Sequence, residues 1–339
     1  MKKLALTVLA LSQMSLAFAG GILTNTNQSA RFARLMALEA STNADAAYYN
    51  PAGTIKLSEG FHFTFSNQSA FQKRIITATN PAYAQSLDGQ ITKEYEGTAS
   101  APIIPSLQGV YRKGKWALSG SLAVTGGGGK ATFNKGLSLF ESAAAQVPTL
   151  VNGIGQMTSQ PYAANRYSVE QYMTGSNFIY GAQLGGAYEI NQMFSVYGGF
   201  RLNIVNNKYE GYLRNLETNP GGTMISPSPI FEQVIPVLEG QGAPQASINA
   251  MYMFMKAGQK DGAQLNSKQT GWGVSPILGF NFSYEKLNIG MKYEFKTSLN
   301  VENKTKTDDT GKNNTGMFGD GVNSDHDVPA LFTIGASYQ

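Results

Sequence analysis

Histidine and cysteine carry most side-chain chemistry at neutral pH, and this chain has two of the first, His62 and His326, and none of the second. Thiol catalysis, a cysteine metal cage, a disulfide framework and a lipoprotein anchor are all excluded. His62 lies between Phe61 and Phe63, where alternation points it away from the apolar face. His326 lies in Asn323-Ser324-Asp325-His326-Asp327, whose oxygen spacing does not fit a calcium loop and reads as solvated loop. The run Thr125-Gly126-Gly127-Gly128-Gly129-Lys130-Ala131 approaches a phosphate loop. It lacks Gly at 124 and Ser or Thr at 131, so it reads as a flexible strand end. No nucleophile elbow or paired-His zinc motif is present. The sequence predicts no enzyme, no cofactor and no metal. What remains is charge able to hold an anion. Arg201, Lys292 and Lys296 sit on the polar face of alternating segments, and Arg is suited to bidentate carboxylate binding. An ion pair with Glu294 or Glu189 is the competing reading for each of them.

A second chemistry is apolar. Ile248, Met251, Tyr252 and Met255 fall at i, i+3, i+4 and i+7 and predict an amphipathic helix over 244–257. Ile230, Phe231, Val234, Ile235, Val237 and Leu238 form an apolar cluster broken by Pro236, and a further stretch holds Leu137, Leu139, Phe140, Val147, Leu150, Val151 and Ile154. Two readings stay open together. The stretches pack on one another as the core of a lid, or Phe140, Ile230, Phe231, Ile248, Met251, Tyr252 and Met255 present an apolar landing surface to which Met lends adaptable contact.

The elements that must position these residues are strands. From residue 58 onward the pattern has period two. Phe194, Val196, Gly198, Phe200, Leu202 and Ile204 point one way, with Ser195, Tyr197, Gly199, Arg201 and Asn203 opposite. Leu287, Ile289, Met291, Tyr293 and Phe295 oppose Lys286, Asn288, Lys292, Glu294 and Lys296 in the same manner. The apolar faces end in aromatics, Trp116, Tyr188, Phe194, Trp272 and Tyr284, where an interfacial girdle belongs. Tight turns at Lys113-Gly114, Asn191-Gln192 and Glu285-Lys286 alternate with long connections near 126–175, 212–268 and 302–326. That is the plan of a transmembrane antiparallel β-barrel, in which the sheet must close because no backbone amide can go unpaired in lipid. Only 14% of the residues are charged, which suits such a wall better than a soluble enzyme. The net charge of +4 falls to +2 (4 − 2) without Lys2 and Lys3, too little to argue for nucleic acid. Lys2-Lys3, Leu4–Leu11 and Ala17-Phe18-Ala19 have the layout of a cleavable export leader, residues 1–19. No later run is apolar enough for a helical span.

The stretch Asn27-Gln28-Ser29-Ala30-Arg31, then Asn43-Ala44-Asp45-Ala46-Ala47-Tyr48-Tyr49-Asn50-Pro51-Ala52-Gly53, resembles the start of the FadL family of outer-membrane long-chain fatty acid transporters. The resemblance implies fourteen strands around an N-terminal hatch, here 20–57, with Asn50, Pro51, Ala52 and Gly53 turning inside the lumen and 58–339 forming the barrel. It implies passive uptake of long-chain fatty acids or other hydrophobic molecules by a monomer in the Gram-negative outer membrane. Cargo is captured at apolar outer loops, passed by the hatch and released sideways through the wall. A long acyl chain withdrawn from water gains roughly 10 kcal/mol gross, partly offset by ordering costs, so capture needs no fuel. About eight strands are legible, which departs from fourteen. A closed barrel of eight would be filled by its own side chains, so a C-terminally truncated chain is expected. A non-transport barrel, an adhesin or structural protein, is the alternative. The sequence does not choose the cargo or locate the lateral opening.

Overall fold

The structure is a computed structural model that describes residues 24–338. The expected leader and residues 20–23 lie outside them. Six long strands come first: β1 (Gly60–Thr79), β2 (Thr92–Lys113), β3 (Trp116–Phe133), β4 (Tyr167–Glu189), β5 (Phe194–Thr218) and β6 (Ala263–Tyr284). Four shorter ones follow: β7 (Leu287–Glu294), β8 (Asn300–Asp308), β9 (Asn323–Asp325) and β10 (Leu331–Tyr338). All neighbours are antiparallel, in the order β1-β2-β3-β4-β5-β6-β7-β10. The three tight turns fall where the sequence puts them, and the two faces separate as the alternation requires. On β5, Val196, Phe200 and Ile204 are 37–48% exposed, whereas Ser195, Arg201 and Asn203 are 0–5% exposed.

The strands are longer than their apolar faces. They run to 18–25 residues, so the connections shrink from 126–175 to 134–166 and from 212–268 to 219–262. Beyond the lipid band an outward residue no longer has to be apolar. Lys208, Glu210, Arg214 and Glu217 continue β5 where the two-residue hydropathy pattern has stopped. The segment 302–326 also departs from a plain loop. Its first part is β8, which pairs with the upper part of β6.

The concave face of the sheet holds the N-terminal segment, residues 24–57, which carries helix α1 (Ala46–Tyr49) and the 3-10 turn Pro51–Lys56. Small residues bring its backbone against the wall, where Ala46, Ala47 and Ala52 are fully buried. Six consecutive strands then bond to it. Gln108 of β2 donates to the Gln28 carbonyl (2.8 Å), and Gln28 donates to the Val124 carbonyl of β3 (2.7 Å). Gln183 of β4 reaches the Ala47 carbonyl (2.8 Å) and Ser195 of β5 the Ala52 carbonyl (2.8 Å). Asn50 donates to Asn281 of β6 (2.7 Å), and Asn288 of β7 to the Ala40 carbonyl (3.0 Å). The eight-stranded path is a curled half-barrel, and among the described residues its end strands β1 and β10 are not paired with each other.

At the end opposite the tight turns, four helices form a cap: α2 (Ser138–Ala144), α3 (Val147–Thr158), α4 (Ser228–Gly240) and α5 (Gln245–Ala257). Pro236 does not break the apolar cluster as expected; it stands inside α4. An internal Pro costs a helix about 3 kcal/mol, here offset by burial of Phe231 and Leu238 on either side of it. The remaining departure from a plain barrel is at β7. β7 and β8 act as one interrupted strand along β6, and β10 and β9 as its interrupted partner. The waist of this ribbon, residues 295–299 and 326–330, stays paired. Thr297 and Val328 exchange both backbone hydrogen bonds (2.9 and 3.0 Å), and His326 N–H donates to the Leu299 carbonyl (2.8 Å). The waist bends into the concavity, where Leu299 and Val301 bury completely against Ile179 and Val205.

Candidate functional site

The polar chemistry converges where β4, β5 and β7 face the N-terminal segment. Strand period places Arg201 and Glu294 inward on β5 and β7. The Arg201 guanidinium grips the Glu294 carboxylate with two bonds, 2.6 and 3.1 Å, and donates a third to Gln183 Oε1 at 2.7 Å. Lys292 Nζ sits 2.6 Å from the same carboxylate and donates to the Tyr48 carbonyl at 2.9 Å. Both cations lie 4.8 Å from the centre of the Tyr48 ring, one a guanidinium and one an ammonium over a π face. Two cations therefore meet one carboxylate within hydrogen-bond reach, with Glu39 a further acidic group near Lys292. Arg201 Nε is also buried with no partner.

Lys296 does not join them. It lies just beyond β7, its side chain is 58% exposed, and it pairs with Asp327 at 2.5 Å. The inward bend of the ribbon begins there, so strand parity no longer applies. Arg201 and Lys292 are each in an ion pair with Glu294, as the competing reading has it. Glu189 pairs elsewhere, with Arg112 at 3.7 Å. Sequence reasoning missed Tyr48 and Gln183. Tyr48 was visible in the N-terminal motif only as part of a turn, and nothing in its neighbours signals that its ring underlies the cations.

Beside the cluster is a cavity of about 100 Å³. Arg201, Glu294 and Asn203 are among its polar lining residues, and Ile179, Phe295 and Val328 among its apolar ones. The expected hatch motif forms its support. Asn50 is fully buried, and its amide donates to the Ser41 carbonyl (3.0 Å) as well as to Asn281. Pro51 starts the 3-10 turn, and Ala52 and Gly53 are buried within it. Asp45 ties the segment's other end, accepting from Ser29, Ser41 and Arg31.

The wall is interrupted nearby. β2 and β3 pair at Ser100↔Lys130 and again at Ser106↔Ala123, with no partners between. Pro102 and Pro105 lack the N–H a ladder needs, and Gly127 and Gly129 take positive φ (102° and 75°). The glycine run that resembled a phosphate loop is thus the bulged part of this break. A cavity of about 330 Å³ lines its inner side, with Gln72, Arg74 and Lys130 on its walls.

In the cap, the apolar residues separate into two groups. Phe231, Ile248 and Met251 are closed within one core with Val147, Val151 and Phe254, which corrects their reading as landing surface. Phe140, Ile230, Tyr252 and Met255 pack half-buried around that core. Phe140 also lines a small apolar cavity of about 30 Å³ with Tyr172, Met173, Met253 and Leu265. Glu141 fastens the cap to the wall, accepting from Lys93 (2.9 Å), Tyr167 (2.8 Å) and Gln171 (2.7 Å). Burial first, and the Glu141 carboxylate next, hold the Tyr167 phenol protonated well above its ordinary range. That proton is the one donated to Glu141.

Solved structures share this architecture. A crystal structure of a Pseudomonas aeruginosa FadL homologue superposes with a TM-score of 0.54 at 11% identity, covering 94% of this chain and 66% of that one. The crystal structure of the P. putida toluene transporter TodX gives a TM-score of 0.46 at 14% identity, covering 88% and 63%. The first shows that this chain shares the fold of that FadL homologue. This chain spans just under two thirds of the length of either protein. No family model matches the chain, and no curated protein is found similar to it.

Proposed function

We propose that the chain works as a passive outer-membrane conduit for hydrophobic molecules with an acidic head, long-chain fatty acids or close equivalents. In this reading residues 1–19 are the export leader, 20–57 the hatch and 58–339 the wall. Cargo is taken up at the rim of the cap around Phe140, Ile230, Tyr252 and Met255. It is held by its carboxylate at Arg201 and Lys292 and released through the break between β2 and β3. The observation that carries the reading is a pair of buried cations sharing one carboxylate beside a cavity with apolar residues in its lining. A charge kept from water at such cost suits a site that an anion completes. The TodX likeness extends the cargo class toward aromatic hydrocarbons only in name, since toluene has no group for Arg201 to hold.

A binding comparison tests it. Charge-assisted hydrogen bonds contribute about 1.5–3 kcal/mol, so Lys292→Gln is expected to weaken oleate about tenfold or more. Oleyl alcohol, with the same tail and no charge, should bind the variant as it binds the parent. Equal loss for both ligands, or none for either, removes the carboxylate role. The non-transport alternative draws on the closed core of the cap, and it predicts no saturable oleate binding at all.

The same reading fixes which face meets lipid. Leu202→Arg is expected to cost about 2–4 kcal/mol near the bilayer midplane and to lower the yield assembled in outer membrane, whereas Leu202→Met should assemble normally. Asn203→Arg is no control, although strand parity alone makes it one. Asn203 is 5% exposed and bonded to Thr125 and Thr297, so Arg there would break those bonds and set a further buried charge beside Arg201. If Leu202→Arg assembles like the parent, the outward face is not the lipid face.

A further inference from the structure

Above the apolar band, the outer face of the wall carries a row of lysines that the conduit reading does not use. Lys208 of β5 stands opposite Lys268 of β6, and Lys268 stands opposite Lys304 of β8. Strand period sets their direction. Lys208 shares the face of the exposed Phe200 and Ile204, while the adjacent residues Asn207, Gln269 and Asn303 are 0–6% exposed on the inner face. Lys268 and Lys304 are exposed. Lys306 follows on the same face of β8, also exposed, where a shift of register leaves it without a partner on β6.

Such a row opposes itself. Side chains directly opposite on neighbouring strands have Cβ atoms about 5 Å apart, and like charges placed so are destabilising. The acids on this part of the face are Glu210 and Glu302. Among the described residues only Lys208 of the four lysines is in an ion pair, with Glu210 at 2.6 Å. The level of the row indicates what offsets the rest. The exposed Tyr284 and Trp272 stand twelve residues apart on the outer face of β6. With about 3.4 Å per residue and a tilt near 45°, that is roughly 29 Å, close to the height of an apolar band of about 25 Å. Trp272 therefore marks the cap-side interface. Lys268 is four residues further along β6, about 10 Å higher on the same arithmetic. Asn206, Thr270 and Glu302 form the one row between, so no apolar side chain separates the lysines from the interface. Their stems can bend back along the wall to the headgroups.

We infer that this row is a docking surface for the phosphate-bearing headgroup of an anionic lipid in the leaflet nearer the cap. It rests on the outer-membrane reading above and is separate from the carboxylate site, which lies on the other face of the same strands. Phosphate oxygens accept from the ammonium groups of Lys268, Lys304 and Lys306 together, and the lipid supplies the counter-charge that the face lacks. One headgroup then bridges β6 and β8, whose ladder runs only from Leu265 to Thr270 on the β6 side.

The test places the full protein in phosphatidylcholine nanodiscs with a minor fraction of lipid A, a disaccharide lipid bearing phosphates, and measures retained lipid by native mass spectrometry. The parent is expected to retain lipid A in preference to phosphatidylcholine. Combining Lys268→Gln, Lys304→Gln and Lys306→Gln should lower that preference about a hundredfold, near fivefold per lysine. Arginine at the same three positions should keep it. Combining Lys113→Gln, Lys115→Gln and Lys286→Gln removes equal charge from exposed positions at the tight-turn end and should change nothing. An unchanged preference in the first triple, or an equal loss in both, would overturn the docking surface. Displacement of lipid A by inorganic polyphosphate at equal phosphate concentration would give the row to a soluble anion and overturn the lipid. Saturable oleate binding, measured in parallel, should be the same in all variants and tests the conduit by itself. A parent that prefers lipid A but binds no oleate keeps the docking surface and loses the conduit; one that binds oleate without preferring lipid A does the reverse.

Discussion

Glu294→Gln is expected to cost the fold about 3–5 kcal/mol, the penalty for stranding buried charge, and to make that loss recoverable by an anionic ligand. One carboxylate serves both Arg201, through two bonds, and Lys292. Its amide replacement is neutral, keeps one acceptor oxygen, and leaves two positive charges beside the Tyr48 ring with no counter-charge in contact. A stable wall can still assemble, because Glu294 also belongs to β7, whose ladder to β10 begins at Leu331↔Glu294 and does not depend on the side chain. The measurement is urea unfolding in nanodiscs with oleate, with oleyl alcohol and with neither. A ligand bound only by the folded state adds RT ln(1 + [L]/Kd), about 2.7 kcal/mol at a hundredfold excess over Kd. Oleate should therefore restore most of the loss and oleyl alcohol far less. If both ligands restore the variant equally, the cluster is a structural ion network and takes no ligand carboxylate.

The contrast between Arg201 and Lys296 explains how far the sequence could be read. Arg201, Lys292 and Glu294 follow from strict alternation within strands that stay in register, as do the exposed Val196, Phe200 and Ile204. The three turns and the helix near 244–257 were legible because short-range chemistry determines them. Lys296 fails because the ribbon leaves the wall one residue earlier. Leu299 and Val301 are apolar alternates that a period-two pattern cannot distinguish from a wall strand, although they point into the concavity. The upper strands fail for the opposite reason, since beyond lipid their outward residues are charged and the pattern ends before the hydrogen bonds do. Tyr48 was out of reach because its role arises between elements more than a hundred residues apart in sequence, whereas Gln183 stands directly opposite Arg201 across the β4–β5 hairpin and needed only the register. Apolar clustering identified the cap residues but not whether they face inward to one another or outward to cargo. Only packing decides that, and it places Phe231, Ile248 and Met251 inside.

The second large effect is expected from Gly290→Val, which should expel the N-terminal segment while leaving the wall in place. Gly290 stands inward on β7, opposite Asn281 of β6 and Gly335 of β10. A Cβ there would come within 2.0 Å of the Glu39 carbonyl oxygen and 2.7 Å of Asn50 Cγ, both held rigidly, the second by its bonds to Ser41 and Asn281. Neither neighbour is the free end of a flexible chain, so a larger side chain cannot be absorbed by a rotamer change. Ordinary overpacking costs about 1–3 kcal/mol; here the clash is with backbone, and two further methyl groups follow the Cβ. The wall has no reason to yield, because Val favours a strand and the β6–β7–β10 ladder is unaffected on its outer face. The N-terminal segment yields instead, taking with it the Tyr48 ring and the Tyr48 carbonyl that orient Lys292. Limited proteolysis should then cut within residues 45–55, which are buried in the parent, and saturable oleate binding should disappear. Gly198→Val supplies the comparison. Gly198 faces outward on β5, where an added Cβ would meet nothing within 4 Å, and the substitution should change neither proteolysis nor binding. Were Gly290→Val to stay protected and still bind oleate, the segment would not be seated on this glycine, and Asn50 would lose its place as the anchor of the pocket.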